Sequence, residues 1–150
     1  MTFGRTERWQ RMLLLEATFA LLRARVRLLI MPFREVAREI GTLTSPHDPS
    51  SNAETEIASV DTAIIRNVGW AVRTMAGFVP FKAVCLQQAI AAHAMLKRRG
   101  IASVMHFGAI PGGFEHLQAH AWVDAAGIKV TGYPMAPDMR EIGRLIRHQS

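Results

Sequence analysis

Apolar residues recur at alternating steps of three and four through Met12, Leu15, Phe19, Leu22, Val26, Leu29 and Phe33, the spacing of one face of an α-helix. Arginines stand beside and behind that stripe, as on a helix that packs on protein rather than one that anchors in a membrane. Pro32 has no backbone N–H and must kink or end the helix. A shorter helix over Phe33–Ile40 is expected to follow and to stop at Gly41, a residue type suited to a helix C-terminus. Residues 42–53 carry Ser45-Pro46, Asp48-Pro49 and Ser50-Ser51-Asn52; these are turn formers with little to bury, and the stretch reads as a loop. Helical spacing returns from Glu54 with Ile57, Val60, Ile64, Val68, Ala71 and Met75, until Gly77 and Pro80 break it. A third long helix is expected over residues 83–99, with Leu86, Ala89, Ile90, His93 and Leu96 inward. Its end is marked by Lys97, Arg98 and Arg99, where the helix dipole favours cations, and by Gly100, which can take a left-handed cap.

Beyond Gly100 the period changes from 3.6 to 2. Residues 101–110 read as a strand, Pro111-Gly112-Gly113 as a turn, residues 117–124 as a second strand, and Ile128–Thr131 as a third after a turn at Gly127. Residues 137–148 carry Met139, Ile142 and Ile146 at helical steps, and a last basic helix is expected there. Helices gathered first and an antiparallel meander after them make an α+β domain. At 150 residues and 49% hydrophobic content, one core and one domain suffice. Within it, residues 1–41 form an N-terminal helical segment, 42–53 a loop and 54–150 the part that can carry a site.

The formal net charge of +6 is compatible with nucleic acid, acidic peptide or anionic lipid as partner. The basic residues are scattered, however, and no aromatic interleaving or zinc-finger spacing accompanies them, so nucleic acid is not expected. A single cysteine excludes an intrachain disulfide and suits a reducing compartment. The apolar stretch from Met12 is interrupted by Glu16 and followed by Arg23, Arg25 and Arg27 where a signal-peptide cleavage site would lie. No run approaches the roughly 20 apolar residues of a spanning helix. A cytoplasmic protein is expected.

The reactive form of cysteine is the thiolate, which unpaired backbone N–H groups at a helix start stabilise. Cys85 falls in or just after the first turn of the third helix. On the strand Ala119-His120-Ala121-Trp122-Val123, period 2 sends His120 and Trp122 to one face. An imidazole brought to a thiol at a helix start from a distant strand is the arrangement of thiol peptidases and transglutaminases. Two plainer readings stand beside it: a buried apolar cysteine, and a histidine held by a backbone carbonyl. Trp122 is either a wall of the cleft beside His120 or a core tryptophan. His116-x-x-x-His120 has the spacing of two metal ligands on a helix, but the segment reads as strand and lacks the following Glu of zincins, so no metal is assigned.

The stretch Pro80-Phe81-Lys82-Ala83-Val84-Cys85-Leu86-Gln87-Gln88-Ala89, the helix end Met95-Leu96-Lys97-Arg98-Arg99-Gly100-Ile101, and Ala119-His120-Ala121-Trp122-Val123 followed by Val130-Thr131-Gly132 resemble the transglutaminase-like leader peptidase of lasso peptide biosynthesis, the peptidase half of the split B protein. The segment from Met31-Pro32-Phe33-Arg34 to Gly41 is similar to the part that precedes the core in stand-alone members. The resemblance implies a papain-like or transglutaminase-like fold with Cys85 as nucleophile and His120 as base. It implies hydrolysis of the bond between leader and core of a ribosomally made precursor, with a small leader-recognition protein as partner and an asparagine-synthetase-like cyclase acting afterwards. Family members have been linked to ATP; no Gly-x-x-x-x-Gly-Lys loop is present here, and no nucleotide site or other cofactor is assigned. Acyl transfer to an amine by the same Cys and His, or a non-catalytic helical binding module with an inert cysteine, are the competing readings.

Many relatives carry an Asp that orients the imidazole where this chain has Gly132, preceded by Thr131. With a tight turn over residues 125–127, hairpin geometry places Thr131 or Gly132 opposite His120. Asp124, four residues along the strand, would lie about 13 Å from His120. The Thr131 hydroxyl or a backbone carbonyl there is therefore expected to orient the ring, with Asp138 a less favoured carboxylate, and Gly132→Asp is expected to be tolerated if the backbone permits.

Overall fold

The computed structural model describes residues 5–44, 62–79, 84–110, 118–133 and 139–146. In chain order these form α1 (Arg5–Ile30), α2 (Phe33–Ile40), β1 (Thr42–Thr44), α3 (Thr62–Ala76), α4 (Cys85–Arg98), β2 (Val104–Ile110), β3 (Gln118–Ala125), β4 (Ile128–Thr131) and β5 (Arg140–Ile146). Pro32 stands between α1 and α2 in extended conformation, where its missing donor costs nothing. At the end of α4 the Gly100 N–H reaches the Lys97 carbonyl at 3.0 Å and the Ile101 N–H reaches the Leu96 carbonyl at 2.9 Å. With Gly100 at φ +73, this is the Schellman closure expected of a glycine after a basic last turn.

The fold is α+β. The five strands make one antiparallel sheet in the order β1-β5-β2-β3-β4. α4 lies against β3 and is flanked by α1 and α3, while α3 covers β4. A helix surrounded in this way must be apolar on nearly every side, and on α4 Ala89, Ala91, Ala92 and Leu96 are fully buried. The alanines let three neighbours approach closely. From the sheet, Met105, Ala121, Val123, Ala125, Val130 and Leu145 meet the helices, which is the period-2 face of each strand. Polar ties fix the layers: Arg99 grips Glu16 of α1 with two bonds of 2.8 and 2.6 Å, Arg73 of α3 donates to the Val130 carbonyl, and Arg27 of α1 pairs with Glu39 of α2.

Three expectations are corrected. α1 packs inward through Leu13, Ala17, Leu21 and Ala24, leaving Met12, Leu15, Phe19 and Leu29 exposed. Both stripes have helical spacing, and the one with alanines wins because it admits the close approach of α4. Residues 42–44, read as the start of a loop, form β1 and pair with β5. The segment expected as a last helix is β5, inserted between β1 and β2. Ile142 is exposed while Gly143 and Leu145 turn inward; the free hydrogen-bonding edge of β2, which no local pattern reveals, overrides the spacing of Met139, Ile142 and Ile146. The expected helical residues 54–61 and the turn at 111–113 lie outside the described residues. Among those described, no helix is long and apolar enough to cross a membrane.

The orientation of α1 has a direct test. Leu21→Ala is expected to lower unfolding free energy by about 2–5 kcal/mol, and Leu15→Ala to change it by no more than about 0.5 kcal/mol. Urea denaturation measures both; equal losses would return the exposed stripe to the core.

Candidate active site

Cys85 is the first residue of α4, preceded by Val84 in extended conformation, whose side chain gives no cap to the helix. The first-turn N–H groups, which have no partner inside a helix, therefore gather around the cysteine. The thiol is free and half-buried. It opens on a cavity of ≈ 690 Å³ whose lining also includes His120 of β3. Leu86, Phe107 and Leu145 contribute apolar walls, and Arg34 and Arg38 come from α2. Nucleophile and base candidates, 35 positions apart in the chain, thus share one cleft, as β3 packs against α4.

The ring of His120 is tied from behind: its Nε2–H donates to the Gly132 carbonyl at 2.7 Å. A carbonyl can only accept, so the neutral ring carries its lone pair on Nδ1. The expected hairpin register is corrected here. Thr131 pairs with Val123, not His120, because Ala125 already faces Ile128 across a shorter turn than expected and the ladder then shifts by one more residue between Val123 and Asp124. The buried Thr131 hydroxyl has no hydrogen-bond partner among the described residues, and of the two expected orienters it is the Gly132 backbone that touches the ring. Gly132 turns its carbonyl there by leaving the strand at φ +86, a conformation costly for other residues. A Cβ at this position would lie 2.5 Å from the Trp122 Cβ and 2.6 Å from the Ala121 oxygen. The expected tolerance of Gly132→Asp is therefore withdrawn: neither the dihedral nor the space admits a side chain.

Trp122 does not line the cavity. It is buried behind His120, with its ring centroid 6.1 Å from that imidazole and 5.4 Å from the imidazole of His106 on the other side. Gly108 makes room for it, since a Cβ there would come within 2.7 Å of the indole. A large flat ring thus backs the smaller ring of the candidate base.

His106 is the residue that sequence reasoning missed. Its Nε2 lies 3.2 Å from Asp124 and its Nδ1 2.5 Å from Glu141; Arg144 bonds Glu141 through Nε at 2.6 Å and Nη2 at 3.0 Å, and the Tyr133 hydroxyl donates to Asp124 at 2.6 Å. Burial opposes the charged form of His106, but the hydrogen bonds and charges of Asp124 and Glu141 outweigh it and raise its pKa. Burial likewise opposes ionisation of both carboxylates; His106 and Tyr133 at Asp124, and Arg144 and His106 at Glu141, hold them below the ordinary range. Asp124 is thereby committed to His106 and does not orient His120. Strand alternation placed Asp124 on the face of Trp122, but Glu141 and Arg144 were hidden in the expected helix. His116 and Asp138 lie outside the described residues. Among the described residues, no group of three or more His, Cys, Asp or Glu is placed to hold a metal ion.

A family model described as the transglutaminase-like superfamily matches residues 19–144. The chain belongs to the transglutaminase-like superfamily. No curated protein and no solved structure matches it. Membership in this superfamily implies cysteine-dependent hydrolase or acyl-transfer chemistry, for which a thiol at a helix start and an imidazole in one cleft are the required parts. In this transglutaminase-like domain a neutral carbonyl stands at the back of the imidazole.

Two outcomes are expected. Gly132→Ala should destabilise the fold by about 1–3 kcal/mol through overpacking and strain, seen in urea denaturation. The His106 cluster should make stability depend on pH in a defined sense. The contribution of His106 is complete below its ordinary value of 6.5 and is lost as pH rises through its raised pKa. Those of Asp124 and Glu141 are complete above 3.8 and 4.5 and are lost as pH falls through their lowered values. The stability gap between the native protein and His106→Gln should be widest between about pH 4.5 and 6.5 and narrow toward alkaline pH; a gap independent of pH would sink this account.

Proposed function

We propose that the protein is a cysteine peptidase that removes the leader from a ribosomally made precursor peptide in lasso peptide biosynthesis, acting in the cytoplasm with a small leader-recognition protein. The observation that carries the reading is the cavity lined by both Cys85 and His120, with the imidazole tied back to Gly132 so that Nδ1 is the nitrogen left to exchange protons. The motifs around these two residues supply the finer assignment to leader removal.

In this reading His120 Nδ1 takes the thiol proton, and the Cys85 thiolate attacks the scissile carbonyl, forming a C–S bond. The oxygen gathers negative charge beside the N–H groups at the start of α4, of which that of Cys85 is the nearest in sequence. The C–N bond then breaks as imidazolium gives its proton to the leaving amine, which becomes the free N-terminus of the core. Water attacks the thioester, His120 takes its proton and returns it to sulfur, and the leader leaves as a carboxylate. A carbonyl behind the ring stabilises imidazolium less than a carboxylate does, so modest turnover is expected. The asparagine-synthetase-like cyclase would use the freed amine.

Mass spectrometry of a precursor incubated with its recognition protein and this enzyme tests the reading. Cys85→Ala is expected to abolish leader release with the fold retained, and His120→Ala to slow it by about 10²–10⁴-fold. Full processing by purified Cys85→Ala protein would end the peptidase assignment, and a product carrying an added amine would replace hydrolysis with acyl transfer.

A further inference from the structure

A hydrogen bond at one corner does not fix a ring. The bond from Nε2 to the Gly132 carbonyl selects the tautomer of His120, but by itself it lets the imidazole swing about its Cβ–Cγ bond, a torsion with broad minima, and that swing carries Nδ1 with it. A charged acceptor would hold the ring more firmly than a carbonyl does. What limits the swing is the indole of Trp122, which lies at 23° to the imidazole with 6.1 Å between centroids, inside the range of about 4.5–7 Å for offset stacks. The ladder shows how the indole reaches there: Gly108 stands opposite His120, and His106 opposite Trp122. The indole leans across the bare Gly108, its Cζ3 and Cη2 only 2.7 and 2.8 Å from where a Cβ would stand.

The far face of the indole is closed by the His106 ring, stacked at 11° with 5.4 Å between centroids. His106 is buried and cannot turn without breaking its bonds to Asp124 and Glu141, the second of which Arg144 holds in turn. Its raised pKa favours imidazolium, a cation that an indole face attracts at this range. An indole gripped from behind offers its other face as a fixed wall. We infer that Trp122, clamped by His106, is a positioning residue for the base: its indole sets the plane of the His120 imidazole and with it the direction in which Nδ1 takes and returns protons. This rests on the reading of His120 as the base of the proposed reaction, and it adds what holds that ring steady beside a lone carbonyl.

Three substitutions in the full chain separate a flat wall from mere bulk. W122L keeps apolar volume and the Cβ against which Gly132 is seated but loses the ring, W122F keeps that Cβ and a flat ring, and H106Q leaves Trp122 in place and removes the clamp. In the precursor assay W122L is expected to lower kcat by roughly 10–100-fold with KM within about twofold, since a misplaced reacting group costs rate rather than binding. W122F should recover most of that loss, and H106Q should lower kcat in the same sense by roughly three- to tenfold. Long-range proton–nitrogen correlation spectra at about pH 7.5, with His120 assigned by its absence in H120Q, read the ring without substrate. One tautomer, Nε2–H, is expected in the native protein and W122F, and a mixture of the two in W122L and H106Q. Should W122L fail to fold, H106Q decides: native kcat and a single tautomer there would overturn the inference, as would W122F being as slow as W122L. If the native protein cleaves no precursor, the peptidase assignment fails and the spectra alone decide; a mixture of tautomers in the variants upholds the positioning of His120 by Trp122, and an unchanged single tautomer ends it.

Discussion

Everything in this fold answers to the need to enclose α4. A helix touched by α1, α3 and the sheet cannot carry large side chains all round, and Ala89, Ala91 and Ala92 keep it thin where its neighbours press closest. The same demand bears on the face of α1 that turns inward, where the small Ala17 and Ala24 are buried and the larger Phe19 and Leu22 stay exposed. It also explains why the end of α4 is so heavily tied, by the Gly100 closure and by Arg99 on Glu16. With the axis and the far end of α4 held, its first residue is presented at a fixed point beside β3. The thiol at the start of this helix inherits its position from the burial of the rest.

The imidazole is positioned by a different device. Two glycines stand where a Cβ would collide, Gly108 under the Trp122 ring and Gly132 against the Trp122 backbone. The indole can then lie flat between two histidines, one facing the cleft and the other locked between carboxylates. With His106 protonated, as its raised pKa favours, His106, Asp124, Glu141 and Arg144 balance two positive with two negative charges, so the group can be buried at modest cost. Their bonds join β2, β3 and β5 on the face away from the helices. What rests on this platform is a ring whose Nε2 is occupied and whose Nδ1 is available. Among the described residues no side-chain carboxylate stands behind it, and the backbone at Gly132 leaves no room for one at that position.

Much of this was legible in the chain. Helical spacing, Pro32, the basic turn before Gly100 and the switch from period 3.6 to period 2 are local consequences of backbone sterics and of one-sided burial. They were enough to place Cys85 at a helix start, to set Ile128–Thr131 as a strand, and to send His120 and Trp122 to one face. The motifs around Cys85 and His120 likewise belong to contiguous residues. Where the reading went astray, the deciding contact was long-range. Residues 140–146 look helical until the edge of β2 offers them a ladder, and residues 42–44 become a strand only because β5 is there to pair with them.

The amino-acid order by itself therefore determined the elements whose hydrogen bonds close within a few residues, the α+β class, and the two candidate side chains that the cleft brings together. Tertiary structure alone decided which of two apolar stripes on α1 is buried, the β3–β4 register that leaves His120 to the Gly132 carbonyl in place of the Thr131 hydroxyl, the burial of His106 between Asp124 and Glu141, and the arginines of α2 that line the cleft. The physical reason is common to all but the hairpin register, which is local. Each of the others depends on the distance of approach between surfaces far apart in sequence, and that distance is set by the volumes packed between them rather than by any property of the residues taken in order.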